Sequence, residues 1–181
     1  KPLLLYVGAM QQQYGLADVL SAVEKLRRRN PSVGLVVFTK KGSDKRFSST
    51  IAGLIDLKGL GNGIVMFESV PWVVSAMKSA DVVIRAKTIG EGDSRAVREA
   101  LAVGVPVVAT NAGNRPAGVT LYSAGDTDGL VDALGEVLDI GGLNSAYVDP
   151  EGNNNLRNYE SLYSELLQAG RNNLGGKRVN S

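Results

Sequence analysis

The chain has 181 residues, of which 44% are hydrophobic and 21% are charged, and its formal net charge is +2. This composition is typical of one globular domain with its own core, and it argues against a disordered chain and against a nucleic-acid partner. The sequence contains no cysteine and no histidine, which excludes disulfides, thiol chemistry and the commonest general base and metal ligand. No apolar run approaches the roughly 18 residues of a membrane-spanning helix.

Six short apolar runs are predicted to be strands, and patterns with helical spacing alternate with them. The predicted strands are residues 3–7, 34–38, 64–67, 82–84, 105–109 and 119–122. The predicted helices run from 16 to the stop at Pro31, and over 48–57, 71–78, 94–103 and 126–138. Continuous apolar strands of this kind are buried on both faces, as in a parallel sheet with helices on either side.

Six strands connected in this way predict a doubly wound α/β fold, a Rossmann-like parallel sheet in the order 3-2-1-4-5-6. In such a sheet the ligand crevice lies at the carboxyl ends of strands one and four, where the strand order reverses. The loops that follow those strands are residues 8–15 and 85–93. The topology therefore places the candidate site between these two loops.

The second loop opens the most informative stretch, GEGDSRAVREALAVGVPVVAT, at residues 90–110. A Gly-rich turn leads into a helix, whose first backbone N–H groups and positive dipole end suit a phosphate. Glu91 lies in the turn and Glu99 in the helix, with seven residues between them.

This stretch resembles the donor-site motif of family 4, or group 1, retaining glycosyltransferases, with two glutamates followed by A-L-x-x-G-x-P-V-V-A-[ST]. The segment GDSRAVREALAVGVPVVATNAGNRPAGV is similar to the branch with G-D-S-x-x-V-R-E-A-L and a later R-P-x-G, and the resemblance runs from about Leu3 to Leu138. Those enzymes have two Rossmann-like domains, and the motif lies in the C-terminal, nucleotide-sugar-binding one. The resemblance implies transfer of a hexose from a nucleoside diphosphate sugar to a glycan or lipid-linked acceptor, with retention and without a metal or other cofactor. It also implies an N-terminal domain of the same full-length chain as partner.

The two glutamates have both functional and plainer interpretations. Glu99 is the candidate for the ribose hydroxyls, because one carboxylate can accept two hydrogen bonds; the alternative is an ion pair with Arg95, four residues earlier. Through the resemblance, Glu91 is the catalytic candidate, which contacts the donor sugar and stabilises charge at the anomeric carbon. The alternative for Glu91 is an acidic residue that complements the helix dipole.

The residues between the glutamates are candidates for holding the anion. Gly92, Asp93 and Ser94 are expected to supply backbone N–H groups to the diphosphate. Asp93 or Ser94 is also a candidate N-cap of the helix, and the two roles are compatible.

The first loop departs from the family pattern. Gly8 ends the first strand as expected, but Ala9 and Tyr14 stand where many members have Arg and Lys on the diphosphate. Arg85 is the main candidate to replace the missing charge, and Lys87, Arg95 and Arg115 are weaker candidates. The alternative for each is a solvated surface cation, which is the preferred interpretation for Lys87 and Arg95. The other explanation of the departure is a degenerate, non-catalytic site.

Two further patterns favour structural roles. Asp126 and Asp128 form a D-x-D pattern at the start of a helix, where a cap is favoured over a metal site. The three arginines at residues 27–29 complement the end of the first helix, with a peripheral membrane contact as the alternative. We expect a cytoplasmic protein, with contact at the inner face of a membrane as a variant of that expectation.

The predicted domain spans residues 1–169 and includes a last amphipathic helix from about residue 156; residues 170–181 are predicted to be a flexible tail. The chain starts without Met, directly in a strand, and we expect a piece of a longer protein. Two other functions stay open at this point: half of a nucleotide-sugar epimerase or phosphorylase, and a non-catalytic nucleotide-binding module.

Overall fold

A computed structural model of the chain describes residues 1–40 and 44–139. Six strands form one parallel sheet in the order β3-β2-β1-β4-β5-β6. The strands are β1 (Leu3–Val7), β2 (Gly34–Thr39), β3 (Ile64–Glu68), β4 (Val82–Arg85), β5 (Val107–Thr110) and β6 (Val119–Tyr122). The helices between and after them are α1 (Leu16–Arg29), α2 (Lys45–Leu57), α3 (Val73–Met77), α4 (Arg95–Ala102) and α5 (Thr127–Asp139), and a short 3-10 helix spans Gln12–Tyr14. The predicted fold class and strand order are confirmed.

The central strand β1 shows why the sequence pattern predicts the sheet so well. Leu4 pairs with Leu35 of β2 on one side and with Val82 of β4 on the other. Leu4, Leu5 and Tyr6 are all buried. Helices cover both faces of this strand, so its side chains are apolar without alternation.

Two apolar clusters lie on opposite faces of the sheet. Leu4 and Tyr6 point into a cluster with α1, α2 and α5. Leu5 and Val83 point into a cluster with α3 and α4, which includes Met77 and Leu101. Successive residues of a strand face opposite sides, and this places α4 on one face and α1 on the other, with their N-termini at the same edge of the sheet.

Two helices differ from their predicted bounds by more than one residue at their N-termini. The helix α2 begins at Lys45, before the predicted Ser48, because the Asp44 carboxylate accepts a hydrogen bond from the Arg46 N–H at 2.9 Å and caps the first turn. The helix α3 is shorter than predicted. Trp72 precedes it, with its ring edge-on to Phe38 and Phe67 at centroid distances of 5.3 and 5.0 Å, so this residue packs as part of a turn.

The D-x-D pattern has the structural role that its position favours. Asp126 accepts a hydrogen bond from the Gly129 N–H at 2.8 Å, which caps α5, and Asp128 pairs with Lys25 at 2.5 Å. The predicted cap is confirmed.

Arg27, at the end of α1, is held by the fold. Its guanidinium donates to the carbonyl oxygens of Val33, Leu60, Asn62 and Gly63, at 2.8 to 3.3 Å. This arginine therefore ties the end of α1 to the loops before β2 and β3.

The predicted C-terminal helix from about residue 156 and the tail 170–181 lie outside the described residues. Among the helices within 1–40 and 44–139, none is long and apolar enough to cross a membrane.

Candidate functional site

A cleft with a volume of about 690 Å³ lies at the carboxyl edge of the sheet. One wall comes from the ends of β1 and β2, a second from residues 69–74 before and within α3, and a third from Arg85, the 91–94 turn and α4. This is the switch point at which the strand order reverses, and the two loops predicted to meet there do so. The location predicted for the crevice is confirmed.

Three charged side chains are connected at the floor of this cleft: Arg85 and Glu91 line it, and Arg115 lies behind Glu91. The Glu91 carboxylate accepts hydrogen bonds from Arg85, whose Nε lies 3.1 Å from both carboxylate oxygens and whose Nη2 also contacts Oε1. Arg115 Nη1 donates to Glu91 Oε2 at 2.8 Å. The side chains of Arg85, Glu91 and Arg115 are 12%, 10% and 2% exposed. We call this group the Arg85–Glu91–Arg115 triad.

The triad fixes the ionisation of Glu91. Burial, the largest single cause, raises the pKa of the Glu91 carboxyl, but the hydrogen bonds from Arg85 and Arg115 and the positive charges of these two residues together lower it by more. The net effect is a pKa below the ordinary range of a glutamate, so Glu91 is an anion at neutral pH. Its backbone is fixed as well, because it forms a parallel bridge with Gly113, with Glu91 N–H donating to Ala112 O at 2.9 Å.

Tyr14, which stands in place of the family's lysine, contacts the cations of the site. Its ring centroid lies 5.1 Å from the Arg85 guanidinium carbon and 5.5 Å from Lys87 Nζ. Arg85 Nη1 also donates to Val7 O at 2.7 Å. An aromatic face attracts cations at this range, so Tyr14 helps to orient Arg85 toward the cleft.

Gly8 lines the cleft where β1 ends, and its position has a steric cause. A Cβ atom at this residue would lie 2.3 Å from Tyr6 Oη. That hydroxyl donates to Tyr14 O at 2.9 Å, and burial raises the pKa of Tyr6 well above its ordinary value, which keeps it protonated. The Gly8 N–H donates to Phe38 O at 3.0 Å, so what Gly8 offers a ligand is close approach to the backbone.

The N-terminus of α4 opens into the cleft. Ser94 occupies the N-cap position and is buried, but its side chain makes no capping hydrogen bond. Asp93 does not cap the helix either; its carboxylate pairs with Arg98 Nε at 2.6 Å. Ser94, Arg95 and Ala96 line the cleft, and the first N–H groups of a helix have no intrahelical acceptor. This end of α4 is thus oriented to hold an anion.

Glu99 lies one helical turn further along the cleft wall. Its carboxylate is 34% exposed and pairs with Arg95 Nε at 3.5 Å, while the Arg95 side chain is 91% exposed. The ion pair expected from the spacing is present, but it is long and solvated. An exposed ion pair of this kind contributes little to stability.

Most of the predicted residues meet in the cleft. Gly8, Arg85, Glu91, Asp93, Ser94 and Glu99 line it. Among the residues that the structure describes, the lining includes neither Gly92, which is exposed in the turn, nor Arg115, which lies behind Glu91. Direct binding of a ligand by these residues stays a prediction.

The lining also includes residues that the sequence did not single out, namely Lys40 at the end of β2 and the turn that contains Ser69 and Pro71. Ser69 has a left-handed backbone, with φ of 52°. The strand order could have pointed to Lys40, because β2 ends at the same edge as β1.

The fold and the cleft together define a doubly wound α/β domain with a cleft lined by charged side chains at its switch point. A family model described as group 1 glycosyl transferases matches residues 1–139, and the chain belongs to that family. No curated protein matches the chain.

Solved structures with similar folds have low sequence identity to this chain. A glycosyltransferase from Rickettsia africae is 21% identical with a TM-score of 0.76, over 92% of this chain and 48% of its own length. Anabaena Alr3699/HepE in complex with UDP and glucose is 17% identical with a TM-score of 0.77, over the same shares. The C-terminal domain of a Francisella tularensis group 1 glycosyl transferase, LpcC, is 19% identical with a TM-score of 0.71, over 82% of each chain. The chain thus spans about half the length of the first two and most of the third.

Proposed function

We propose that this chain is the donor-binding domain of a retaining glycosyltransferase, which takes a hexose from a nucleoside diphosphate sugar. In this proposal an N-terminal domain of the same full-length protein supplies the acceptor site, for a glycan or a lipid-linked acceptor. The family and the UDP complexes of similar folds support a nucleotide sugar as the ligand class.

The single observation that carries the proposal is the charge arrangement of the cleft. Arg85 and the N-terminus of α4 face the same space from two sides, and Glu99 lies further along the same wall. A diphosphate between Arg85 and α4 would receive a guanidinium and unpaired backbone N–H groups. The ribose would then reach Glu99, whose contact with Arg95 is long and solvated.

Glu91 is proposed to act on the sugar. An anion beside the anomeric carbon stabilises the positive charge that develops as the bond to the diphosphate breaks. The depressed pKa keeps the carboxylate ionised for that role. Arg85 and Arg115 together hold its position, so little reorganisation is needed at the moment of reaction. The diphosphate charge is met by Arg85 and α4, and the proposed reaction needs no metal ion.

The departures at Ala9 and Tyr14 fit an active site better than a disabled one. The Tyr14 ring lies against Arg85 and Lys87, so the loop that lacks the usual cations instead orients cations from another strand.

Calorimetric titration of the chain with UDP, GDP, ADP and NAD tests the proposal. We expect one nucleoside diphosphate to bind and NAD not to bind, and we expect the chain alone to transfer no sugar. Failure of all three diphosphates to bind to the folded chain would refute the proposal, and transfer by the isolated chain would refute its requirement for a second domain.

A further inference from the structure

Arg115 has a position that its sequence neighbourhood does not explain. Its side chain is 2% exposed. Its Nη1 donates to Glu91 Oε2 at 2.8 Å, and its Nε and Nη2 donate to the backbone oxygen and hydroxyl of Thr110 at 3.0 and 3.3 Å. Burying a guanidinium is costly unless its donors are satisfied, and here all three nitrogens have acceptors. The residue is therefore locked behind the cleft floor.

The charges of the triad do not cancel. Glu91 carries one negative charge and accepts hydrogen bonds from both arginines, so two positive charges and one negative charge leave a net +1. The next carboxylate along the wall, Asp93, pairs with Arg98. The excess positive charge lies at the floor of the cleft, and of the two arginines in the triad Arg85 is the one that lines the cleft.

We propose that Arg115 is a positioning residue that makes Arg85 available to the diphosphate. By sharing the Glu91 carboxylate, Arg115 prevents that anion from neutralising Arg85 alone. Arg115 attracts the ligand through its positive charge and does not touch it. Its charge thus replaces one of the two cations that are missing at Ala9 and Tyr14. This inference rests on the proposed binding of a nucleoside diphosphate and adds how this chain achieves it.

A charge series tests the inference with UDP, or with GDP or ADP if that diphosphate binds instead. The triad has a net charge of +1 in the wild type, 0 in Arg115→Gln, +2 in Glu91→Gln and +1 again in the double variant. A diphosphate without a sugar is the probe, so that loss of a Glu91–sugar contact does not enter the result. Affinity measured by calorimetry should follow the net charge of the triad.

The expected change is about tenfold for each unit of charge, which is the order for one charge several ångströms away in a partly screened cleft. Arg115→Gln should thus bind about tenfold more weakly, and the double variant should return to within about threefold of the wild type. Arg115→Lys keeps the charge and should retain most of the affinity. A purely structural anchor predicts no recovery in the double variant.

Two controls separate local from general effects. Arg28→Gln removes the same charge from an exposed position on α1, where Arg28 pairs with Glu24, and should leave the affinity unchanged. The nucleoside without phosphate should bind all variants alike, because the series acts on the phosphates. Should Arg115→Gln fail to fold, the double variant compared with Glu91→Gln measures the same removal of one charge.

Several results would overturn the inference. Equal UDP affinity in the wild type and Arg115→Gln would do so while leaving the proposed function intact. Equally weak binding by Arg115→Gln and the double variant would make Arg115 a structural anchor only. Absence of binding by the wild type with UDP, GDP and ADP would refute the proposed function, and the inference with it.

Discussion

Replacing Gly8 by alanine should destabilise the fold strongly through Tyr6. An added Cβ would lie 2.3 Å from Tyr6 Oη and 2.6 Å from Cζ, so the phenol ring would have to move by about 1 Å in a packed core. Overpacking of this kind costs about 1–3 kcal/mol. Losing the 2.9 Å hydrogen bond to Tyr14 O adds about 1–3 kcal/mol, because the hydroxyl of the buried Tyr6 is left unpaired.

The expected loss is therefore about 2–6 kcal/mol of the free energy of unfolding, a large part of the about 5–15 kcal/mol of a typical domain. Urea unfolding of the wild type and Gly8→Ala, with equal m-values, measures this loss. Gly53→Ala is the matched control: Gly53 lies within α2 with nothing within 4 Å of its added Cβ. That substitution should stabilise the chain by about 0.5–1 kcal/mol.

The Gly8→Ala substitution made in a Tyr6→Leu variant tests whether the loss of stability comes from the contact with Tyr6. In Tyr6→Leu the hydroxyl and the distal ring atoms are gone, so Gly8→Ala should cost less than about 1 kcal/mol there. A loss in the wild type within about 0.5 kcal/mol of zero would refute the steric reasoning. The same would follow from an equal loss in both backgrounds, because the cost would then come from the backbone at Gly8 and not from Tyr6.

Three further outcomes are expected. Glu99→Ala should weaken UDP binding by about 1–3 kcal/mol. It should not weaken binding of the UDP analogue that lacks the ribose hydroxyls. As a control, Glu136→Ala at an exposed position on α5 should leave calorimetric titrations with both ligands unchanged. The pKa of Glu91 in the folded chain lies below its value of about 4.3 in the unfolded chain. The Glu91 carboxylate therefore stabilises the fold fully at a pH above the unfolded pKa, and this contribution is lost as the pH falls through the folded pKa. Urea unfolding from pH 7 to 3 should thus show the difference between the wild type and Glu91→Gln shrinking below about pH 4, and a constant difference would contradict this. Tyr14→Phe keeps the ring against Arg85 and should keep UDP affinity, whereas Tyr14→Leu should lower it by about threefold or more; calorimetry showing equal loss in both would assign the effect to the hydroxyl.

The sheet was predictable from the sequence for a specific reason. Each strand is a short apolar run followed by a turn, and such a run predicts a strand that is buried on both faces. The order of the strands then follows from handedness and from short connections. The end of a helix is harder to predict, because a cap such as Asp44 acts through one hydrogen bond.

The location of the cleft was predictable from the sequence, but most of the ion pairs between its side chains were not. The topology brings the loops at 8–15 and 85–93 together, and the family motif marks both glutamates. The contact between Arg115 and Glu91 could not be predicted, because it depends on how loops separated by a whole helix and strand approach one another. Arg115 is 24 residues from Glu91, and Asp93 pairs with Arg98 at a spacing of five, outside the usual helical pattern of three or four.

Gly113 has a consequence for the triad, to which it contributes no charge. It bridges to Glu91, and a Cβ atom there would lie 2.2 Å from the Glu91 carbonyl oxygen. Any side chain at this position must push the two loops apart, and that movement would draw the Glu91 carboxylate away from both guanidinium groups. A residue with no functional group thus sets the spacing on which an electrostatic network depends, and its replacement should be felt as a loss of ligand affinity more than as a loss of packing.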